Sequence, residues 1–124
     1  MISGRIAIPS EGQGGLDAQR SGHFGHCSVF TLVDIEEGEI ISVDAISNGE
    51  HREGGCMVPV NLCAEHKVTA LIAAGMGLRP LQGFESVGID VYFDQQNPDV
   101  QSAVEALLAG QLVKMSPDNS CQGH

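Results

Sequence analysis

Histidine and cysteine, whose side chains suit soft and borderline metals, lie mostly outside the predicted helices and strands of this 124-residue chain. The segment 21–27, SGHFGHC, places His23, His26 and Cys27 within five residues, and its two glycines allow a guest to approach the backbone closely. We therefore predict that these three side chains are metal ligands. The alternative is structural, with a histidine capping a strand end and Cys27 packing beside Val29.

Two further pairs have the same residue types, but their spacings are not diagnostic. His51 and Cys56 bracket a second glycine-rich segment, and Cys121 and His124 form a CxxH pair near the C-terminus. Metal ligation and an incidental position on the surface both stay open for each pair. Cys63 differs, because it lies on the apolar side of a predicted helix, where a thiol is usually a small core side chain.

The turn Gly75-Met76-Gly77 follows an apolar run that is typical of a buried parallel strand. It has neither the GxxxxGK[ST] motif of a phosphate-binding loop nor the GxGxxG motif of a dinucleotide site. Open α/β sheets bind ligands at the carboxyl ends of their strands, so this turn is a candidate pocket wall; tight strand-to-helix packing is the alternative. Arg20, Arg52 and Arg79 flank these segments and could face an anionic guest, although ordinary surface charge also explains them.

The elements that must position these residues alternate between strands and helices. Apolar and β-branched runs predict five strands, near 4–9, 29–33, 40–46, 68–74 and 89–93, with a Glu-Glu-Gly-Glu hairpin turn at 36–39. Helices are predicted near 58–67, from Pro80 to about Val87, and from an Asn97-Pro98 cap to Gly110. The pattern predicts one α/β domain over 1–124, with a mixed sheet, three helices and a flexible tail from about 111.

Composition narrows the range of partners. The formal net charge is −10, which disfavours nucleic acid and anionic membranes because both select for an excess of lysine and arginine. The sequence has no long uncharged apolar segment and no secretory pattern, so we expect a cytoplasmic protein with reduced thiols. None of the four cysteines forms a CxxC pair, which argues against a zinc ribbon and against a thiol redox enzyme.

The order of these motifs resembles the dinitrogenase iron-molybdenum cofactor biosynthesis family, which includes small nitrogenase-cofactor carriers and the orange protein of sulfate-reducing bacteria. The similarity extends over nearly the whole chain, from GRIAIP and SGHFGHC through HREGGC, VTALIAAGMG and GIDVYF to a C-terminal CQGH. It implies a ribonuclease-H-like fold, with a five-stranded mixed sheet and helices on both faces. The residues that match the family's two loop motifs are His23, Phe24, Gly25 and His26 in the first, and Gly75, Met76 and Gly77 in the second.

The resemblance implies a binding protein without catalytic turnover. Its guest would be a reversibly bound molybdenum-copper sulfide, iron-molybdenum or iron-sulfur cluster, exchanged with donor and acceptor proteins. A cluster that brings its own sulfides needs few protein sulfurs, which agrees with the absence of CxxC pairs. A nuclease is disfavoured, because such enzymes need an acid in the first strand and GRIAI has none. The second hypothesis is a regulatory or assembly partner of a P-loop ATPase in cluster biogenesis.

Overall fold

A computed structural model of the chain describes residues 3–20, 29–47, 57–74, 78–94 and 96–114. Within these residues the strands are β1 (Gly4–Ser10), β2 (Val29–Glu36), β3 (Glu39–Ser47), β4 (Ala70–Ala73), β5 (Asp90–Phe93) and β6 (Val113–Lys114). The helices are α1 (Met57–Glu65), α2 (Leu78–Ser86) and α3 (Val100–Leu108). The predicted α/β class and the three predicted helices are confirmed. No helix in the described residues is long and apolar enough to cross a membrane.

A single mixed sheet contains all the described strands, in the order β3-β2-β1-β4-β5-β6. β1 is parallel to β4, and β4 is parallel to β5. The β1–β2, β2–β3 and β5–β6 pairs are antiparallel. The predicted antiparallel hairpin and the predicted parallel pairs among the first, fourth and fifth strands are therefore confirmed.

The predicted count of five strands is wrong, because the described residues form six. β6 lies in the predicted tail and pairs with the edge of β5, where Tyr92 is opposite Lys114 and Phe93 is opposite Val113. Two residues are too few to show the alternation that marks a strand in a sequence. Residues 115–124 lie outside the described part of the chain. The ribonuclease-H-like assignment and the tail's flexibility stay predictions.

Two apolar layers cover the sheet, because alternate side chains of each strand point to opposite faces. On one face α1 and α2 pack against the sheet through Val60, Leu81 and Phe84, all fully buried. On the other face α3 packs against the sheet in a second apolar cluster, which includes Ile8 and Val104. Cys63 is 0% exposed in the first layer, so the prediction that it is a core side chain is confirmed.

Backbone conformation explains where the hairpin and two of the helices end. Glu37 and Gly38 have φ of 52° and 80°, the pair of positive values that a two-residue hairpin turn requires. Gly88 and Gly110 have φ of 80° and 75° and follow α2 and α3, where glycine avoids the strain of the left-handed region. The predicted hairpin turn and the predicted end of the third helix at Gly110 are confirmed.

The predicted Asn97-Pro98 cap of α3 is wrong. The N-cap is Asp99, whose side-chain Oδ2 accepts a hydrogen bond of 2.9 Å from the N–H of Ser102. The backbone carbonyls of Asn97 and Pro98 instead accept hydrogen bonds from Arg20. The helix therefore begins two residues later than the proline pattern predicts.

Candidate functional site

One end of the sheet brings together the chain positions that flank the predicted ligand segments. Ser47 pairs with Val29, and Val29 pairs with Ser10, where β1 finishes. The β1–β4 register pairs Ile6 with Ala70 and Ala7 with Leu71, and its continuation brings Ala74 level with Ser10. Asp94 follows next, its N–H donating to the carbonyl of Ala73 at 2.9 Å. We call this line of five residues the carboxyl row: Ser47, Val29, Ser10, Ala74 and Asp94.

Most of the predicted site residues lie in chain segments that adjoin the carboxyl row in sequence. Segment 21–28 precedes Val29, segment 48–56 follows Ser47, and segment 75–77 follows Ala74. These segments are outside the described residues, as is the C-terminal pair. The predicted site residues that lie outside the described part of the chain are His23, Phe24, Gly25, His26, Cys27, His51, Arg52, Cys56, Gly75, Met76, Gly77, Cys121 and His124.

Arg20 is the predicted site residue that the structure describes in full. It is half-buried, its Nε–H donates to the carbonyl of Asn97 at 2.8 Å, and its backbone N–H donates to the carbonyl of Pro98 at 2.8 Å. It also bridges to Ser10 of the carboxyl row. Arg20 therefore ties the chain before segment 21–28 to the connection between β5 and α3, a role that its charge alone did not predict.

A buried hydrogen-bond network fastens the segment that leads to Arg20. Thr31 Oγ1 lies 2.7 Å from Ser10 Oγ and accepts from the N–H of Gly15 at 3.0 Å. Ser10 and Thr31 are both 0% exposed, so each hydroxyl needs these partners. The neighbouring Gly14 lies so close to the sheet that a Cβ there would be 2.9 Å from Val29 Cγ2.

Asp94 is a buried carboxylate that ends β5 in the carboxyl row. It is 3% exposed, and its Oδ1 accepts from the backbone N–H groups of Gln96 at 2.9 Å and Asn97 at 3.1 Å. The Asn97 Nδ2 group also lies 3.1 Å from Oδ1 and 3.0 Å from Oδ2. Amide donors thus surround the carboxylate on the part of the chain that the structure covers. Its backbone partners have no side-chain signature, so sequence analysis missed it; the Asp-x-x-Asn spacing after a strand was the available signal.

The N-terminus of α3 lies beside this group, but its N–H donors are already used. Val100 donates to the carbonyl of Ala18 at 3.0 Å, and Gln101 donates to the carbonyl of Leu16 at 3.1 Å. Asp99 caps the next donor, and the hydrogen bond from the Ser102 N–H lowers the pKa of Asp99 below its usual value. These contacts fasten segment 11–20 to the helix and leave the first N–H groups of α3 unavailable to an anionic ligand.

A surface cavity of about 430 Å³ lies at the same end of the sheet, between β5, β6 and the end of α3. Its walls include Phe93, Asp94, Asn97, Ala106 and Leu112. Among the described residues no group of three or more His, Cys, Asp or Glu side chains could hold a metal ion. The described part of the site therefore provides a frame, and the predicted ligands are in the segments attached to it.

Sequence comparison finds relatives over most of the chain. A family model described as dinitrogenase iron-molybdenum cofactor matches residues 4–110. An uncharacterised protein of Methanocaldococcus jannaschii is 33% identical over an alignment of 115 residues that covers 89% of this chain and 90% of the relative. The family-model match thus includes every described strand except β6, together with segments 21–28, 48–56 and 75–77.

Solved structures share the fold. The apo form of the orange protein from Desulfovibrio gigas superimposes with a TM-score of 0.82 at 25% identity, covering 93% of this chain and 95% of that chain. A candidate NifB protein from Thermotoga gives a TM-score of 0.73 at 26% identity, covering 97% of this chain and 99% of that one.

Proposed function

The chain belongs to the dinitrogenase iron-molybdenum cofactor family, and from this premise we propose that it binds, carries or stores a molybdenum- or iron-containing sulfide cluster without catalytic turnover. The observation that carries the proposal is the carboxyl row, which gathers the flanks of three predicted ligand segments at one end of the sheet. That end is where open α/β sheets bind ligands.

The dimensions of the sheet support a shared pocket. Neighbouring strands are about 4.8 Å apart, so Val29 and Ala74, two strands apart, are separated by roughly 10 Å. Segments 21–28 and 75–77 are attached at these two positions. A residue of extended chain spans up to about 3.4 Å, so a few residues suffice for both segments to contact one guest.

The proposed ligands divide by chemistry. His23, His26 and Cys27 are the proposed metal ligands of the first segment, and His51 and Cys56 are candidates in the second. A sulfide cluster is anionic and needs hydrogen-bond donors around it. Arg20, Arg52 and the amides of Phe24, Gly25, Gly75, Met76 and Gly77 are the proposed donors; Cys121 and His124 are further candidate ligands.

The described carboxylates at this end favour binding over catalysis. Asp94 belongs to the carboxyl row and Asp99 caps α3 beside it, and amide donors engage both. Each of these carboxylates is therefore occupied in holding the backbone, which favours a structural role for it. β1 contains no Asp or Glu, whereas a ribonuclease-H-like nuclease needs an acid in its first strand.

A carrier must release its guest, so we propose exchange with cytoplasmic donor and acceptor proteins and action beside a P-loop ATPase of cluster assembly. The alternative is that the chain regulates or assists such an ATPase and holds no cluster itself. Retention of metal by the isolated protein distinguishes the two functions.

The proposal is tested by anaerobic titration with copper thiomolybdate and, separately, with an iron-sulfide donor, followed by gel filtration and metal analysis. Wild type should retain metal and show the absorbance of the bound cluster. Changing both His23→Ala and His26→Ala should reduce retention while the protein stays folded, because both side chains are polar and lie outside the predicted strands and helices. Cys63→Ala is the matched control and should retain the cluster with an unchanged spectrum. Retention by the double histidine variant equal to wild type would exclude segment 21–28 as the binding element; no retention by wild type from either donor would favour the assembly partner.

A further inference from the structure

Asp94, Asn97 and Arg20 form a bracket across the carboxyl end of the sheet. Asp94 holds both the backbone and the side chain of Asn97 through hydrogen bonds of 3.0 to 3.1 Å. The Asn97 carbonyl in turn accepts from Arg20 Nε–H at 2.8 Å. The buried carboxylate is therefore connected, through one intermediate residue, to the position immediately before segment 21–28.

The contacts are specific to a carboxylate. Both oxygens of Asp94 accept hydrogen bonds, and an amide in the same place would present an N–H₂ group to the N–H donors around it. Burial leaves little room for water to relieve that conflict, since Asp94 is 3% exposed. The Asp94→Asn change would therefore loosen Asn97 and release the carbonyl that holds Arg20.

We propose that Asp94 is a positioning residue for the guest: through Asn97 it fixes Arg20, a proposed donor to the cluster, against the connection between β5 and α3. This inference rests on the proposed function and adds a residue that does not touch the cluster. Groups that orient ligand-bearing segments commonly change affinity by about tenfold to a hundredfold when they are mutated. Arg20 contributes to binding through its own charge and through its place in the bracket.

A purely electrostatic role of Asp94 and a positioning role predict opposite effects of Asp94→Asn on cluster affinity, which makes the proposal testable. Removing a negative charge near an anionic guest should strengthen binding if Asp94 acts only through its field. Losing the bracket should weaken binding. Asp34→Asn is a matched control, because Asp34 lies at the opposite end of the sheet, where it pairs with Arg5 at 2.7 Å.

The experiment is anaerobic titration of wild type, Asp94→Asn and Asp34→Asn with copper thiomolybdate, combined with amide hydrogen exchange on the cluster-free proteins. We expect Asp94→Asn to bind about tenfold more weakly and the Arg20 N–H to exchange faster, whereas Asp34→Asn matches wild type in both. Arg20→Ala combined with Asp94→Asn should cost less than the sum of the single changes, because the two residues act through one bracket.

Three results would overturn the inference. Unchanged or tighter binding by Asp94→Asn, with wild type binding normally, would show that Asp94 does not position the site. Equal weakening by Asp34→Asn would assign the effect to general destabilisation. If wild type binds no cluster, the proposed function fails and the positioning role falls with it; the exchange rate at Arg20 then still reports whether the bracket holds the chain.

Discussion

Replacing Gly14 with alanine should disrupt the packing of segment 11–20 against the sheet. Gly14 has φ of 77°, and a Cβ at this position would lie 2.9 Å from Val29 Cγ2, 3.0 Å from Thr31 Oγ1 and 3.1 Å from Ala45 Cβ. None of these atoms is the end of a long flexible side chain. Thr31 is additionally held by its hydrogen bonds to Ser10 and Gly15, so the segment itself has to move.

The cost has two parts. A non-glycine residue in the left-handed region costs about 1 to 2 kcal/mol. Forcing an additional methyl group against packed neighbours costs typically about 1 to 3 kcal/mol more. Gly12 has a similar φ of 62° but would place its Cβ in open space, so Gly12→Ala should cost the first part alone.

Urea denaturation of wild type, Gly12→Ala and Gly14→Ala separates the two parts. The free energy of unfolding should fall by about 1 to 2 kcal/mol in Gly12→Ala and by roughly 2 to 5 kcal/mol in Gly14→Ala. Cluster affinity should fall in Gly14→Ala, because the same segment leads to Arg20. Equal losses of stability in the two variants would refute the close packing of Gly14 against β2 and β3.

Three further changes test the core, the buried network and the ion pair. Cys63→Ala should lower the free energy of unfolding by about 1 to 2 kcal/mol, measured by thermal melting, because it leaves a small cavity in a fully buried position. Thr31→Val should cost about 1 to 3 kcal/mol in urea, since it removes the hydroxyl that Ser10 and Gly15 contact. Hydrogen bonding from Arg5, and then from Ser42, lowers the pKa of Asp34 below 3.8 in the folded state. This pair therefore stabilises the fold at pH values above 3.8, and its contribution is lost as the pH falls through the folded pKa. The stability difference between wild type and Asp34→Asn should accordingly stay level near neutral pH and shrink as the pH falls below 3.8.

Local chemistry made parts of the fold predictable from the sequence. The β2–β3 hairpin follows from two β-branched runs around a turn in which Glu37 and Gly38 take positive φ. The apolar run of β4 marks a strand buried on both faces, as its ALIA residues are. These features depend on residues close in sequence, so local sequence patterns are enough to predict them.

The errors arose where distant residues compete for the same atoms. Asn97-Pro98 has the pattern of a helix start, but the carbonyls of both residues accept from Arg20, 77 residues away from Asn97, and Asp99 caps the helix instead. β6 exists because the edge of β5 is available to pair with it, which two residues of sequence cannot show.

Sequence patterns marked the segments of the candidate site but not the hydrogen bonds that frame their flanks. Clustered histidines and glycines marked segment 21–28, and the carboxyl row shows that its flank adjoins those of the other segments. The roles of Asp94 and Thr31 were not predictable, because their partners include backbone N–H groups that any residue supplies. Which of the predicted residues bind the guest stays a prediction.

The most direct test of the central claim is a two-dimensional amide NMR titration of wild type with copper thiomolybdate under anaerobic conditions. Our account predicts that the amide signals of the carboxyl row and of Arg20 shift and saturate at one cluster per chain. Signals at the opposite end of the sheet, at Gly4, Ile35 and Asp90, should stay in place. Shifts centred on that opposite end, or no saturable shift anywhere, would contradict the claim that this end of the sheet holds a metal-sulfide cluster.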